Sequence, residues 1–281
     1  MVAQIRIRWL VCLAVLVLCL LLGSAVPVSA RLTMGNGIAL QTGEAGVASS
    51  VCPTGLEARQ GGFSADFGAE GGAEVTGFKM RGRGWRVLAT NTGSEAAGVS
   101  VESYCSPAAP HGLVQRSATV EVPAGGNALA VARCRGDETL LSAGFRNSIE
   151  LGRAHVVVDG MQRIGVRNLG VSGANLSTRV RGRLTAYAYC GHGKYPLVRS
   201  ETLTVPPSSK ERLVARCPEK VRGFGYRPGL FGGFQAGSSD PLAGAVVSPA
   251  QYRSFGDRQV LTAVNRSADQ SIQMTVFVYC R

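Results

Sequence analysis

The sequence is poor in the residues that most catalytic and metal centres use. It contains only 3 histidines, and no two of its 8 cysteines are separated by two residues, which argues against a zinc knot or a thioredoxin-like redox centre. Its 18 acidic residues form no repeated pair, so a two-carboxylate glycosidase has no support. No P-loop, Gly-x-Ser-x-Gly elbow or His-Glu-x-x-His motif occurs. The sequence therefore predicts a protein that is not an enzyme and that uses no cofactor or metal.

The polar residues that come closest to a site are few. His111 and His192 occupy corresponding linkers and would be metal ligands if an axis gathered them, although solvated linker histidines are more common. The nearest approaches to an acidic cluster are Asp137-Glu138 and Ser239-Asp240. We expect turn and surface roles for both.

Long apolar runs are missing after residue 30, so we expect no transmembrane span in the mature chain. The one such run, Trp9–Gly23, follows two arginines and precedes Val28-Ser29-Ala30. This arrangement is typical of a secretory signal peptide at residues 1–30 that is cleaved after Ala30. An uncleaved anchor is the alternative. The mature protein is predicted to be secreted, extracellular or part of the cell envelope.

The cysteines beyond residue 30 divide the chain into three similar units. Each unit contains one early cysteine and closes with a Tyr-Cys pair: Cys52 and Cys105, Cys134 and Cys190, Cys217 and Cys280. Residues 116–134 and 199–217 align without a gap and are identical at nine of nineteen positions. We therefore predict three tandem repeats, with units of about 70–80 residues, within 31–108, 109–193 and 194–281.

An even number of cysteines in an exported chain indicates disulfide bonds. Two pairings respect the repeat. One bridge can lie within each unit, or bridges can join neighbouring units and leave Cys52 to meet Cys280 across a closed ring. The within-unit pairing is favoured because each unit then holds one complete pair.

Alternating apolar and polar residues around turn residues predict a hairpin at the start of each unit. Val120 and Val122, for example, alternate with polar residues before a Pro-Ala-Gly-Gly-Asn turn. A Gly-Phe element follows the early cysteine, and its phenylalanines, Phe63, Phe145 and Phe234, are expected to anchor the core. No part of the mature chain has helical periodicity, so the predicted fold class is all-β.

A second hairpin is expected to close each unit. In the first, second and third units, the first strand of this hairpin is predicted to end at Asn91, Asn168 and Asn265, because asparagine suits a turn. The sequons at Asn175 and Asn265 are likewise interpreted as turns. In the last strand, alternation places the cysteine toward the core and the preceding tyrosine on the opposite face of the sheet.

Three such units can stand as separate small domains or close into one body with pseudo-threefold, β-prism-like symmetry. The linkers Ser106–Arg116 and Gly191–Arg199 permit both arrangements. One body is favoured, because a unit of this size buries little surface alone and stacked repeats share a core.

The first unit carries Cys52-Pro53, Gly61-Gly62-Phe63, Trp85-x-Val-x-Ala-x-Asn91 and Tyr104-Cys105. Together these motifs resemble the units of uncharacterised secreted proteins of high-GC Gram-positive bacteria. The resemblance covers essentially the mature chain and is clearest in this unit. It implies an exported β-rich bacterial module and no particular activity.

The formal net charge is +12, and it falls to +10 when Arg6 and Arg8 leave with the signal segment. Abundant arginine with little lysine is typical of a GC-rich genome, but it is also typical of selection for an anionic partner. Outside a cell, such a partner would be an anionic envelope polymer, a glycan or a surface protein rather than a specific nucleic acid.

Two stretches, Lys79–Arg86 and Gly223–Phe234, combine cations with aromatic rings, which suits anionic head groups and sugars. The alternative is that Trp85 and Phe234 fill the core while the arginines are solvated. A third basic stretch, Arg179–Arg183, is interpreted as part of an insertion of the middle unit, and its alternation fits an exposed strand edge guarded by charge equally well. The candidate ligand-binding residues are Arg81, Arg83, Trp85, Arg86, Tyr226, Arg227 and Phe231.

The predicted function is contact rather than catalysis. We expect a secreted, non-enzymatic protein that binds an anionic or glycan ligand at the cell surface or exterior. One alternative is a structural or protein-interaction module of the envelope, or an adhesin. The second is a hydrolase whose residues meet only in the fold.

Overall fold

The computed structural model of the protein describes residues 31–68, 71–107, 112–148, 155–193, 197–218, 231–237, 247–254 and 258–280. All regular elements in these ranges are β-strands, which confirms the all-β prediction. The predicted signal peptide, residues 1–30, lies outside the described residues.

The strands recur in the same order in each predicted repeat. The first repeat contains β1 (Arg31–Met34), β2 (Ile38–Leu40), β3 (Ala45–Val51), β4 (Leu56–Ala65), β5 (Phe67–Gly68), β6 (Gly71–Arg81), β7 (Gly84–Asn91) and β8 (Ala97–Pro107). The second contains β9 (Val114–Val122), β10 (Asn127–Arg133), β11 (Thr139–Asn147), β12 (Val156–Ile164), β13 (Asn168–Asn175) and β14 (Gly182–Gly191). The third contains β15 (Leu197–Val205), β16 (Lys210–Arg216), β17 (Phe231–Gly237), β18 (Val247–Ser254), β19 (Arg258–Asn265) and β20 (Ile272–Cys280).

These strands form three antiparallel sheets, and each sheet is shared by two repeats. Sheet I has the order β1-β8-β4-β18-β19-β16, with β2 also on β8. Sheet II has the order β10-β13-β12-β17-β20-β15. Sheet III has the order β3-β7-β6-β11-β14-β9, with β5 on β6. Because the sharing runs in cyclic order, the repeats close into one β-prism-like body around a common core.

The two halves of each sheet meet at a short seam that contains the Gly-Phe element. Across the seams, Phe145 is paired with Phe78, Phe234 with Met161, and Phe63 with Tyr252. These phenylalanines are buried in the common core, as the sequence predicted. The preceding glycine is required by close approach, since a Cβ on Gly144 would lie 2.3 Å from the carbonyl oxygen of Phe78 in the neighbouring repeat.

The disulfides lie within the repeats, which confirms the favoured pairing: Cys52–Cys105, Cys134–Cys190 and Cys217–Cys280. In the second repeat, Cys134 directly follows β10 of sheet II, and Cys190 is the penultimate residue of β14 in sheet III. Each disulfide therefore joins two faces of the prism as well as two ends of one repeat.

The tyrosines of two Tyr-Cys pairs hold the seams together. The backbone N–H of Met80 donates to the hydroxyl of Tyr189 at 2.7 Å, and that of Arg163 donates to Tyr279 at 2.8 Å. Met80 lies two residues beyond the last seam pair, Phe78–Phe145. The tyrosine therefore accepts a hydrogen bond from a donor that the neighbouring strand no longer reaches.

The predicted end of the first strand of the closing hairpin is wrong in the second repeat. Asn168 begins β13, after the turn at 165–167, so it does not end the closing hairpin's first strand. The residue equivalent to Asn91 and Asn265 is Asn175, whose buried amide donates to the carbonyl oxygens of Val122 and Val180.

The turn interpretation of Asn175 and Asn265 is confirmed, since the side-chain oxygen of each accepts a bond from the backbone N–H two residues later. The basic stretch Arg179–Arg183 is not an insertion. It spans the β13–β14 loop and the start of β14, and both other repeats have an equivalent loop.

Candidate functional site

The outer surface of sheet III carries a cluster of positive side chains, which we call the basic face: Lys79, Arg86, Arg146 and Arg183. Strand alternation places them there, because each one neighbours a buried residue of the core. Phe78 points inward and Lys79 outward, and Phe145 points inward and Arg146 outward. The basic face thus follows from the same pleat that builds the core.

The four cations lie on four adjacent strands, β7, β6, β11 and β14, which come from two repeats. Lys79 is directly opposite Arg86, and Arg146 is opposite Gly77. Arg183 lies two positions before Thr185, the residue opposite Arg146 on β14. Since neighbouring strands are about 4.8 Å apart, the row crosses about 14 Å of the sheet.

A groove of about 520 Å³ runs along this face. Arg146 and Arg183 line it, together with Tyr187 and a hydrogen-bonded pair of threonine hydroxyls, Thr119 and Thr185, 2.9 Å apart. The Nζ atom of Lys79 lies 5.5 Å from the centre of the Tyr187 ring. The groove therefore offers cations, hydroxyls and one aromatic ring to a ligand.

The charges of the basic face act on one another. Partial burial, and then the positive charges of Arg146, Arg81 and Arg86, lower the pKa of Lys79. Within the described ranges, no carboxylate forms an ion pair with any of the four cations. Glu121, at the edge of the sheet, instead pairs with Arg181 at 3.2 Å. An anionic ligand would relieve the repulsion within the row.

The corresponding faces of the other two sheets differ. At the positions of Lys79, Arg86, Arg146 and Arg183, the register places Gln162, Gly170, Gln235 and Gln273 in sheet II. It places Arg253, Val260, Ser64 and Gly98 in sheet I. Arg253 is already neutralised by the buried carboxylate of Glu102, at 2.7 Å. Of the three equivalent faces, sheet III alone combines four cations at these positions.

The structure separates the predicted ligand-binding residues. Arg81 and Arg83 are exposed beside the β6–β7 turn, and Arg86 belongs to the basic face. Trp85 is fully buried and stacks on Phe78 at 4.4 Å, so its predicted role as an exposed binding ring is corrected. Alternation explains this, because Trp85 and Arg86 are adjacent and point to opposite faces.

The second predicted stretch contributes little to a described site. Phe231 is buried and stacks on Tyr279 at 4.3 Å, so it is a core residue and not an exposed ligand contact. Tyr226 and Arg227 lie outside the described residues.

The polar candidates for chemistry are engaged in surface or structural contacts. His192 pairs with exposed Asp137 at 3.2 Å, while Glu138 pairs with Arg116 at 3.0 Å. A backbone hydrogen bond from Arg135, followed by the Arg116 contact, lowers the pKa of Glu138. His111, Ser239 and Asp240 lie outside the described residues.

In the part of the chain that the structure describes, the one cluster with metal-ligand spacing is Cys134, Glu138 and Cys190. Its two sulfur atoms are joined in a disulfide and are not available as thiolates.

Arg146 and Arg183 are not among the candidate ligand-binding residues that the sequence predicts. Arg146 directly follows the Gly-Phe element, and Arg183 ends a basic stretch that was interpreted as an insertion. The alternation in β11 and β14 indicates that both point outward. It does not indicate that β6 of another repeat brings Lys79 beside them.

The chain matches no protein-family model, and a comparison with curated proteins finds no significant similarity. The described residues contain no helix that is long and apolar enough to cross a membrane.

Proposed function

We propose that this is an exported, non-enzymatic binding protein whose basic face holds an anionic, chain-like ligand of the cell exterior, such as an acidic glycan. The observation that carries the proposal is the contrast between equivalent faces. Each of the three sheets has an equivalent outer face, and in sheet III that face bears four cations with no described carboxylate partner. Packing does not require those charges, since sheet II forms with none of them and sheet I has only Arg253, which Glu102 neutralises.

The shape of the row favours a chain rather than a small compact anion. Four cations spread over about 14 Å match charges repeated along a polymer better than one phosphate or sulfate. Guanidinium groups bind carboxylate, sulfate and phosphate oxygens in pairs, and the threonine hydroxyls and the Tyr187 ring suit a sugar. Acidic glycans and phosphate-linked envelope polymers share this chemistry.

Export is supported by two features. Three disulfide bonds within one chain are typical of oxidising compartments outside the cytoplasm. The first thirty residues have the composition of a secretory signal. An anionic partner at the cell surface is consistent with both.

Titration of the purified protein with a heparin-like polymer, a teichoic-acid-like polymer and a neutral glycan tests the proposal. We expect binding to at least one anionic polymer that weakens as salt is raised, and no comparable binding to the neutral glycan. The triple variant K79Q/R146Q/R183Q introduces the glutamines that sheet II carries at these positions. It should lose at least about tenfold in affinity, because three charged contacts are removed.

The matched control is K210Q/R212Q/R216Q, which removes one lysine and two arginines from the exposed side of β16 in sheet I. Both variants have the same net charge. If the control loses as much affinity as the basic-face variant, binding reflects total charge and the site is wrong. If no anionic polymer binds the native protein, the proposed function is wrong.

A further inference from the structure

Strand β15 forms one edge of sheet II and is unusually exposed. Residues 197–204 are all exposed, and only the last residue, Val205, is buried. The strand pairs regularly with β20 along its whole length, without a bulge, and it contains no proline. Natural sheets normally protect long edges with bulges, proline or charged side chains, especially lysine, because free N–H and C=O groups recruit other strands. β15 has no bulge, proline or lysine, and its two charged residues, Arg199 and Glu201, have opposite signs.

The equivalent edge of sheet III is better covered. In β9, every second residue from Arg116 to Val120 is half-buried, and Arg116 is paired with Glu138. In β15, the equivalent of Arg116 is Arg199, which is exposed. Within the described residues, neither Arg199 nor Glu201 has an ion-pair partner.

We propose that β15 pairs antiparallel with β15 of a second copy of this chain, about a twofold axis at Ser200. The sequence Leu-Val-Arg-Ser-Glu-Thr-Leu, residues 197–203, is complementary to itself in this register. On one face, Leu197 lies opposite Leu203 of the second copy, and Arg199 lies opposite Glu201. On the other face, Val198 lies opposite Thr202, and the two Ser200 residues meet.

Neighbouring registers are disfavoured, which makes the pairing specific. A twofold antiparallel pair must be centred on a residue, because opposite residues share a face of the sheet. Centring on Arg199 places two arginines opposite each other, and centring on Glu201 places two glutamates opposite each other. Like charges directly opposite destabilise a strand pair, whereas opposite charges and apolar pairs stabilise it.

The association joins sheet II of two copies into one continuous sheet. A single pair of edge strands is a small interface, so we expect a dimer that depends on concentration rather than a permanent one. The inference concerns a surface other than the basic face and does not depend on the proposed ligand.

Sedimentation of the purified protein between about 1 μM and 1 mM covers the range expected of a small interface. The molecular mass measured by sedimentation should rise with protein concentration from that of one chain toward that of two chains. The single variants E201R and R199E each place like charges opposite one another and should remain monomeric over this range. The double variant R199E/E201R restores opposite charges and should dimerise again.

Mixing the two single variants is the sharpest form of the experiment. E201R carries two arginines and R199E carries two glutamates, so an equimolar mixture should form a heterodimer although neither variant forms a dimer alone. These residues are exposed, and a far-ultraviolet spectrum checks that each variant folds. A monomer at every concentration overturns the proposal. A dimer that E201R leaves intact overturns it as well, because another surface would then be responsible.

Discussion

Sheets II and III are two versions of one structure with different outer surfaces. Both have a phenylalanine at the seam, a buried tyrosine that accepts a backbone hydrogen bond from the preceding repeat, and a pair of threonine hydroxyls 2.9 Å apart. Their outer faces differ in charge. Sheet III has two arginines and a lysine where sheet II has Gln235, Gln273 and Gln162.

The comparison shows which positions the fold constrains. Inward residues must fill a shared core, so substitutions there change packing density. Outward residues meet solvent, so a lysine or a glutamine is tolerated in the same strand. A repeated scaffold can therefore acquire a charged face on one side without disturbing the other two.

The largest expected effect concerns what the two sheets share. Phe145→Ala in sheet III and Phe234→Ala in sheet II should each lower the free energy of unfolding by about 3–5 kcal/mol, because each empties a buried position at a seam. Urea unfolding measures the free energy of unfolding of both variants. The control is Arg146→Gln, which is adjacent to Phe145 but points outward, and it should change the free energy of unfolding by no more than about 0.5 kcal/mol. A clearly smaller loss in one sheet would show that the two seams are not equivalent.

A smaller effect is expected from moving the charges between the sheets. The variant Q162K/Q235R/Q273R should bind a second short anionic oligosaccharide, which raises the stoichiometry measured by calorimetry from one toward two. The new site should be weaker than the native one, since Gly170 supplies no equivalent of Arg86.

Combining this variant with K79Q/R146Q/R183Q keeps the net charge of the native protein and leaves only the transferred site. One binding event should remain. If the combined variant does not bind, the basic face depends on more than the three exchanged residues.

The smallest effect concerns Asp159 in sheet II, which occupies the bulge position of Thr76 in sheet III. Burial raises the pKa of Asp159, and a hydrogen bond from Ser172 opposes this in part. Below pH 3.8, the ordinary pKa of the group, Asp159 is protonated in both the folded and the unfolded chain. Because the folded pKa is raised, the free energy of unfolding falls as the pH rises through the folded pKa.

Asp159→Thr should therefore stabilise the protein relative to the native sequence at pH 7, and the advantage should shrink as pH falls toward 3.8. Thermal unfolding across this range measures the difference, with Asp159→Asn as a control of similar shape. A difference that stays constant with pH would contradict the assigned cause.

Much of the fold was predictable because its signals are local or recur. Alternation in β9 and β10 predicts the hairpin, and the recurrence of Cys134 at Cys217 predicts the repeat. The position of the turn asparagine in the second repeat was predicted wrongly, since Asn168 and Asn175 both precede a leucine and both suit a turn. Burial of Asn175 distinguishes them, and burial depends on the packed structure.

The candidate site was predictable only in part. Charge alone indicates the stretch that contains Lys79 and Arg86 as a candidate site, but it does not exclude Trp85, whose ring strand alternation directs to the core. Arg146 and Arg183 were not assigned to the site, because nothing near them in the chain indicates their neighbours.

The sequence by itself determined the all-β class, the three repeats and the favoured disulfide pairing, because each depends on alternation or recurrence along the chain. Only the tertiary structure decided that every sheet is shared by two repeats, and hence that Lys79 and Arg86 meet Arg146 and Arg183. The reason is that the seams are non-local: Phe78 and Phe145 belong to different repeats and pair only when those repeats pack against each other.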